Sequence, residues 1–139
     1  MSSAQIMRDI KSLGISQPEV ARICAAIVIY LEGGEFDRQL HLTYSIFKRL
    51  VSPRTDSDLL AAVQYLTGAK ANLLEMRYEF LDEDGEYHPI SRSVVSTAAK
   101  LNALEHPVSG ELVQDYQASV LVYFTPTEHA RNSLQKRGG

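Results

Sequence analysis

Four histidines and one acidic run are the residues of this chain whose types could support metal binding or acid–base chemistry. His41, His88, His106 and His129 are spread along the chain, and no two lie three to five residues apart with a third ligand at a recognised metal spacing. The run "DEDGE", residues 82–86, lacks the ligand pattern and terminal glutamate of an EF-hand loop. The sequence therefore predicts no metal site and no cofactor, and the run is interpreted as a solvated turn.

Nucleophilic catalysis finds no support in the sequence either. Cys24, the single cysteine, lies in the apolar run "ARICAAIVIYL" with no base adjacent in sequence, which is typical of a small core residue. No serine has a nucleophile-elbow context, and "LEGGEF" lacks the glycine and lysine spacing of a phosphate loop. We therefore expect a protein that is not an enzyme, the alternative being an active site assembled from distant residues.

The composition is that of an ordinary globular protein. The chain has 139 residues, 45% hydrophobic and 22% charged, which suits one domain. The start lacks a basic region followed by an apolar one, and the most apolar stretch, 23–31, is too short to cross a membrane. We expect a cytoplasmic protein without a membrane partner. Its net charge of −3 gives no general attraction to phosphate, so any nucleic-acid contact needs a local basic patch.

The first forty residues predict a pair of helices. The first helix has apolar residues at helical spacing and ends at Gly14; these residues are Ile6, Ile10 and Leu13. Ser16 and Glu19 match a capping box, with Pro18 in the first turn of a second helix that ends at Gly33. Since "AAIVIYL" is apolar nearly all round, this second helix is central or lies in an interface.

Two more helices and a hairpin follow. "LTYSIFKRLVS" has one apolar face, made by Leu42, Ile46, Phe47 and Leu50. Thr55 or Asp56 caps "DSDLLAAVQYLTG", whose inward residues are Leu59, Leu60, Val63 and Leu66. In the first hairpin strand, the inner face is Leu74, Met76, Tyr78 and Phe80, and the outer face is Glu75, Arg77 and Glu79. Asp84-Gly85 suits a type I′ turn, and Pro89 places the second strand at a sheet edge.

The C-terminal third predicts a helix, a strand and a helix. "SRSVVSTAAKLNALEH" is interpreted as a helix with these residues inward: Val94, Val95, Ala98, Leu101 and Leu104. Residues 109–117 fit either a short helix or an extended segment. "SVLVYF" is a strand by its β-branched and aromatic content, and Thr127 caps a last helix before the tail "KRGG".

The order of elements in residues 39–91 resembles that of the winged-helix family of DNA-binding domains. The resemblance implies an α+β, mostly helical single domain over 1–139, with a winged-helix-like unit at about 39–91 flanked by the N-terminal helical pair and the C-terminal helix, strand and helix. It also makes "DSDLLAAVQYLTG" the recognition helix, with Gln64 and Tyr65 facing outward and Gln64 reading a base edge, and places Lys48, Arg49 and Arg54 near phosphates.

Acidic residues depart from the family pattern. Asp56 and Asp58 stand at the start of the recognition helix, and the hairpin tip carries the acids of 82–86. The sequence thus leaves two functions open. The first is a regulator that contacts DNA or a DNA-bound partner, and the alternative is a protein-interaction adaptor that uses the acidic hairpin or an apolar helix. A continuous basic face would favour DNA, and its members would be Lys48, Arg49, Arg54, Lys70 and Arg77. Interruption of that face by Asp56, Asp58 and the acids of 82–86 would favour the adaptor.

Self-association is a further expectation. "AAIVIYL" and "SVLVYF" are more apolar than one small domain needs, so one of them is expected to pair two chains in a twofold dimer. The alternative is that each segment is covered within its own chain.

Overall fold

The computed structural model describes residues 3–34 and 39–134, and it has the α+β class that the sequence predicts. In chain order the helices are α1 (Ser3–Leu13), α2 (Pro18–Gly33), α3 (Tyr44–Val51), α4 (Asp56–Thr67), α5 (Arg92–Leu101) and α6 (Glu128–Leu134). The strands are β1 (Leu74–Leu81), β2 (Tyr87–Ile90), β3 (Leu104–Glu105), β4 (Leu112–Val113) and β5 (Val120–Pro126). No helix in the described part of the chain has the length and apolar content needed to cross a bilayer. The C-terminal tail lies outside the described residues.

The chain divides into two compact units. The first combines the described residues of 1–75 with those from 124 onward, and the second runs continuously through 76–123. The predicted winged-helix-like unit, 39–91, is therefore divided at Met76 between the two, because β1 passes from one unit into the other. The assignment to the winged-helix family stays a prediction.

Helix α2 is the centre of the first unit, as its apolar composition predicts. It packs against α1, α3, α4 and α6. Its core side chains are completely covered within the chain; they are Ile23, Cys24, Ile27, Val28 and Leu31. Within the apolar run 25–31 that is expected to pair two chains, Ile27, Val28 and Leu31 are buried in this core, whereas Ile29 is 59% exposed. Dimerisation through this run stays a prediction.

The predicted capping box at the start of α2 is wrong. Gln17 occupies the N-cap position, and no side chain bonds the first turn there. The backbone N–H of Ser16 donates to Leu13 at 3.3 Å, and its hydroxyl donates to the same carbonyl at 3.5 Å. The tight turn holds Ser16 against the end of α1, so α2 begins one residue later than predicted, after Gln17.

Helices α3 and α4 begin at threonine caps. Thr43 Oγ1 accepts the N–H of Ile46 at 3.3 Å, and Thr55 Oγ1 accepts the N–H of Asp58 at 3.0 Å, which confirms Thr55 as a cap. The predicted apolar faces are wrong at two positions, since Leu50 and Leu60 are 39% and 45% exposed. The buried face of α4 instead follows the spacing of a single helical stripe through Leu59, Ala62, Val63 and Leu66.

The sheet of β1, β2 and β5 has the order β2-β1-β5, with β2 antiparallel to β1 and Phe80 opposite His88. Pro89 lies on β2, an edge strand, as predicted. Phe80 is buried, in agreement with the predicted register, but Glu79 on the supposed outer face is only 6% exposed. The alternating pattern therefore predicts the burial of Phe80 correctly and that of Glu79 incorrectly.

The predicted type I′ turn is also wrong. That turn needs two residues with positive φ, whereas in the loop 82–86 only Gly85 has one, at +83°. Asp82 donates its N–H to Glu86 at 2.9 Å, and Gly85 donates to the carbonyl of Asp82 at 3.1 Å. The hairpin thus closes through a three-residue loop whose last member is glycine.

Helix α5 is shorter than predicted. Asn102 adopts a left-handed conformation, φ 56°, and ends the helix after Leu101, which is exposed. Leu104 then lies on β3, paired with Val113 of β4, so the segment 109–117 contains both a strand and, from Tyr116, a 3-10 helix. Leu104 is buried in the core of the second unit, whose other buried members are Phe80, Ala98 and Tyr116.

Strand β5 carries the chain back into the first unit, and the predicted strand "SVLVYF" is confirmed. Phe124 and Leu42 exchange backbone hydrogen bonds of 2.7 and 2.8 Å. The Phe124 ring meets those of Tyr44 and Phe47 at centroid distances of 5.2 and 5.9 Å. Thr127 caps α6, as predicted, by accepting the N–H of Ala130 at 3.0 Å.

Candidate functional site

The basic residues predicted to meet phosphates are exposed, but an acid neutralises one of them. Lys48 Nζ lies 3.0 Å from Asp56 Oδ1, at the start of α4. Arg49 and Arg54 are also exposed. The ion pair is itself open to solvent, so its contribution to stability is small. Its effect on the surface is larger, because it places a carboxylate where the predicted recognition helix would approach DNA.

A second acid lies beside Arg54. Glu19 accepts the backbone N–H of Arg54 at 3.1 Å and two hydrogen bonds from the Arg22 guanidinium, at 2.7 and 2.9 Å. The Arg22 bonds and then the Arg54 N–H lower the pKa of Glu19 to about 2. This carboxyl is therefore charged at neutral pH, and it interrupts the predicted basic face a second time.

The two predicted base readers do not share an environment. Gln64 is exposed, whereas Tyr65 is half-buried. Burial, and after it the negative charge of Asp9, raises the pKa of Tyr65. None of the hydrogen bonds or ion pairs in the described parts of the chain joins any two of Lys48, Arg49, Arg54, Gln64 and Tyr65. Residues that contact DNA bind its phosphates and bases rather than one another, so the predicted nucleic-acid-binding set stays a prediction.

A groove of about 680 Å³ lies along α1, the following turn and the first half of α2. Gly14 permits the close approach of the two helices, since a Cβ there would lie 3.2 Å from the Lys11 carbonyl and 3.3 Å from the Ala21 side chain. Ile6 and Ile10 of α1 are buried against the unit, as their spacing predicts. The other face of the same helix borders the groove.

The groove is apolar with a basic rim. Eleven described residues line it, and most are apolar, including Met7, Pro18 and Ile15, which is 88% exposed. Its charged lining residues are Arg8, Lys11 and Arg22, and no acidic residue lines it. Among the described residues, Arg8 and Lys11 form no ion pair, whereas Arg22 is held by Glu19. Exposed apolar surface of this kind is what a binding partner covers.

A second concavity, about 690 Å³ and lined by residues of 80–119, lies in the second unit and has the opposite character. Its lining includes two histidines, His88 and His106, and no lysine or arginine. The carboxylates around it are Asp82, Glu83, Asp84, Glu86, Glu111 and Asp115. We call it the acidic pocket. Carboxylates grouped around a pocket in this way attract cations and repel phosphates.

The hairpin loop holds Asp82 in one orientation. Asp82 Oδ1 accepts the N–H groups of Asp84 and Glu86 at 2.9 and 3.0 Å, and Oδ2 lies 2.6 Å from Nε2 of His88. The hydrogen bond from His88 holds the pKa of Asp82 below its usual value, against the opposing effect of burial, and the two backbone donors add to the lowering. Asp82, Glu86 and His88 each offer a donor atom, and these three atoms lie within 4.8 Å of one another.

His106 lies next to this group. Its ring centroid is 6.0 Å from that of His88 and 5.2 Å from that of Phe80. The N–H groups of Val108 and Ser109 donate to its Nδ1 at 3.1 and 3.2 Å. A neutral imidazole has one N–H, so these contacts place the proton on Nε2 and make that atom a donor.

Cys24 behaves as the sequence predicts. It is completely buried, its Sγ lies 3.7 Å from the carbonyl of Ala62, and burial raises the pKa of the thiol to about 12. A thiol with such a pKa is protonated at neutral pH and is a poor nucleophile.

Comparison of the chain with protein-family models, curated proteins and solved structures yields no match.

The sequence contains signals for both concavities that motif searching does not detect. Asp82, Asp84, Glu86 and His88 stand at every second position, and a hairpin can bring such residues together across its loop. Arg8 and Lys11 stand three residues apart on α1, a spacing that places two side chains on one helix face.

Proposed function

We propose that the protein is a non-enzymatic interaction adaptor that binds a helical segment of another protein in the groove of α1 and α2. The segment would present apolar side chains to the groove and acidic side chains to its rim. The observation that carries the proposal is the lining of the groove, which combines exposed apolar residues with three cations and no acid.

The apolar part supplies the driving force. Ile15 is almost fully exposed, and covering apolar area contributes roughly 25 cal/mol per Å² before the costs of association. An amphipathic helix lying in a groove between two helices is a common mode of protein recognition. The volume of about 680 Å³ is large enough to receive several side chains of such a helix.

The charges select the partner. Arg8 and Lys11 extend from α1 and form no ion pair among the described residues, whereas Arg22 of α2 is already paired with Glu19. Acidic residues that flank the apolar face of the partner would meet these cations and increase the association rate. A basic or phosphate-rich partner gains no such contact, and the overall charge of −3 opposes nucleic acid.

The same reasoning places contact with DNA second. Asp56 pairs with Lys48, so an acid interrupts the predicted basic face. Under the criterion derived from the sequence, this interruption favours the adaptor. A regulator that contacts DNA or a DNA-bound partner remains the competing proposal, and one experiment can separate the two.

The experiment is an NMR titration of the full chain with two probes. The first is a designed helical peptide with leucines on one face and glutamates along its flanks, and the second is random duplex DNA at low and moderate salt. We expect the peptide to shift resonances of Met7 and Ile15. Lys11→Glu should weaken binding of the peptide about tenfold, a loss that corresponds to about 1.4 kcal/mol.

Lys100→Glu is the matched control, since Lys11 and Lys100 are both exposed lysines in the last turn of a helix. The control should bind the peptide like the parent protein. Equal losses from both variants would reduce the effect to overall charge and contradict the groove. DNA binding that weakens steeply with salt, without any peptide shift, would overturn the adaptor in favour of the DNA regulator.

A further inference from the structure

The ligand chemistry of the hairpin loop suggests a second site, independent of the proposed adaptor function. Asp82 and Glu86 provide carboxylate oxygens and His88 provides an imidazole nitrogen, all within 4.8 Å of one another. Imidazole together with carboxylates is a ligand set of Zn²⁺ and related divalent transition ions. Ca²⁺ and Mg²⁺ require more oxygen ligands and make little use of imidazole.

We propose that Asp82, Glu86 and His88 form a binding site for a divalent transition ion of the zinc class. The ion would lie between His88 Nε2 and Asp82 Oδ2, replacing the proton that these atoms share across 2.6 Å. Ligands bound at about 2.0–2.1 Å in tetrahedral geometry lie about 3.3 Å apart, so the two atoms must separate by less than an ångström.

The backbone of the loop orients the site. Two N–H groups occupy Asp82 Oδ1, which leaves Oδ2 as the oxygen that faces His88. Hydrogen bonds that fix a ligating carboxylate in this way raise metal affinity. The Asp82 and His88 side chains are only 10% and 20% exposed, so little movement is left for the ion to restrict.

Glu86 can provide the third ligand without losing another side-chain contact. Its backbone N–H and carbonyl bond to Asp82, while its side chain is exposed and forms no hydrogen bond or ion pair among the described residues. The side chain can therefore turn towards the ion without breaking another contact.

The surroundings favour a cation and an open coordination position. The acidic pocket has carboxylates around it and no basic residue among its lining residues. Three protein ligands leave one position of a tetrahedral ion for water or another oxygen ligand. His106 belongs to the same pocket, and its Nε2–H is a donor that can bond such an oxygen.

Isothermal titration calorimetry of the untagged, chelator-treated full chain with ZnCl₂ tests the proposal. We expect one site with micromolar or tighter affinity, and weaker binding of CaCl₂ and MgCl₂. Glu86→Gln and His88→Ala should each lose about tenfold or more in affinity, in the range that metal-site residues show. Nitrogen NMR of the imidazoles should show that Zn²⁺ shifts His88 Nε2 and leaves His41 unchanged.

Glu83→Gln is the matched control, because it removes a carboxylate of the same loop that lies outside the three ligands. It should bind Zn²⁺ like the parent protein. Thermal melts of all three variants test folding, and Glu86→Gln serves as the decisive variant if His88→Ala unfolds. The absence of saturable Zn²⁺ binding, tighter binding of Ca²⁺, or equal losses from Glu83→Gln and Glu86→Gln would each overturn the proposal.

Discussion

The groove of the first unit and the acidic pocket of the second have nearly equal volumes, about 680 and 690 Å³, but opposite chemistry. The groove is apolar, and its charged residues are all basic. The acidic pocket has many carboxylates and two imidazoles, and its local geometry depends on hydrogen bonds within a loop. The difference shows that size alone does not identify a ligand. The residue types around each space decide whether it suits an apolar helix or a cation.

The largest expected effect on stability is at Phe80, which lines the acidic pocket and belongs to the core of the second unit. Phe80→Ala should lower the free energy of unfolding by about 3–5 kcal/mol, because Phe80 is buried in the core of the second unit. Tyr87→Ala on the neighbouring strand is the control and should cost much less, since Tyr87 is 55% exposed. Urea unfolding of both variants gives the comparison. A parent-like midpoint for Phe80→Ala would show that this side chain faces water.

Substitution by alanine should change stability in opposite directions at two glycines, one in the hairpin loop and one at the end of α2. Gly85→Ala forces a Cβ onto a residue at φ +83° and should destabilise the protein by about 1–2 kcal/mol. Gly33→Ala, at the end of α2, meets no atom within 4 Å and should stabilise it by up to about 1 kcal/mol. Thermal melts measure both. Stabilisation by Gly85→Ala would contradict the loop geometry that orients Asp82.

The ion pair between Glu19 and the groove residue Arg22 should make the stability of the first unit depend on pH. The folded pKa of Glu19, about 2, is below its usual value of 4.5. Its contribution to stability is therefore fully present above about pH 4.5 and is lost as the pH falls towards 2. A carboxyl NMR titration should give this pKa, and Arg22→Gln should raise it. Arg8→Gln is the control, and an equal rise in that variant would assign the effect to net charge instead.

The smallest effects on stability are expected at the two exposed positions Ile15 and Glu83. Ile15→Ser in the groove and Glu83→Lys at the hairpin tip should each change the free energy of unfolding by less than about 0.5 kcal/mol. Ile15→Ser should nevertheless weaken binding of the helical peptide. Calorimetric melts check stability, and a fall of several degrees for either variant would place that side chain in the core.

The sequence predicts the elements of the fold well where local signals and burial agree. Helix α2 is recognisable because its apolar residues exceed what one face needs, and β5 because β-branched and aromatic residues dominate it. Thr55 and Thr127 are correct caps, since each lies directly before an apolar helical pattern and bonds the first turn.

The errors occur where the outcome depends on distant contacts. Leu104 fits the spacing of α5, yet pairing with Val113 makes it part of a strand, and no local pattern contains that partner. Ser16 is a plausible cap, but the turn after α1 includes Ser16 and moves the N-cap position of α2 to Gln17. The grouping of Asp82, Glu86 and His88 likewise depends on a loop of three residues rather than the predicted two, which changes the side chains that meet across the hairpin.

The backbone bridge between Leu42 and Phe124 has a consequence for the synthesis of the protein. The two residues are separated by more than half of the chain, and the whole second unit lies between them. Because the ribosome releases the chain from its N-terminus, Leu42 and α3 lack their contacts with β5 until Phe124 has been synthesised. The second unit is continuous and needs no later segment for its Phe80 and Leu104 contacts. We expect nascent chains that end before Phe124 to leave the aromatic surface of Tyr44 and Phe47 uncovered. Until then, a chaperone that binds apolar surface would bind these two rings. Protection of α3 from protease should appear only when Phe124 has emerged.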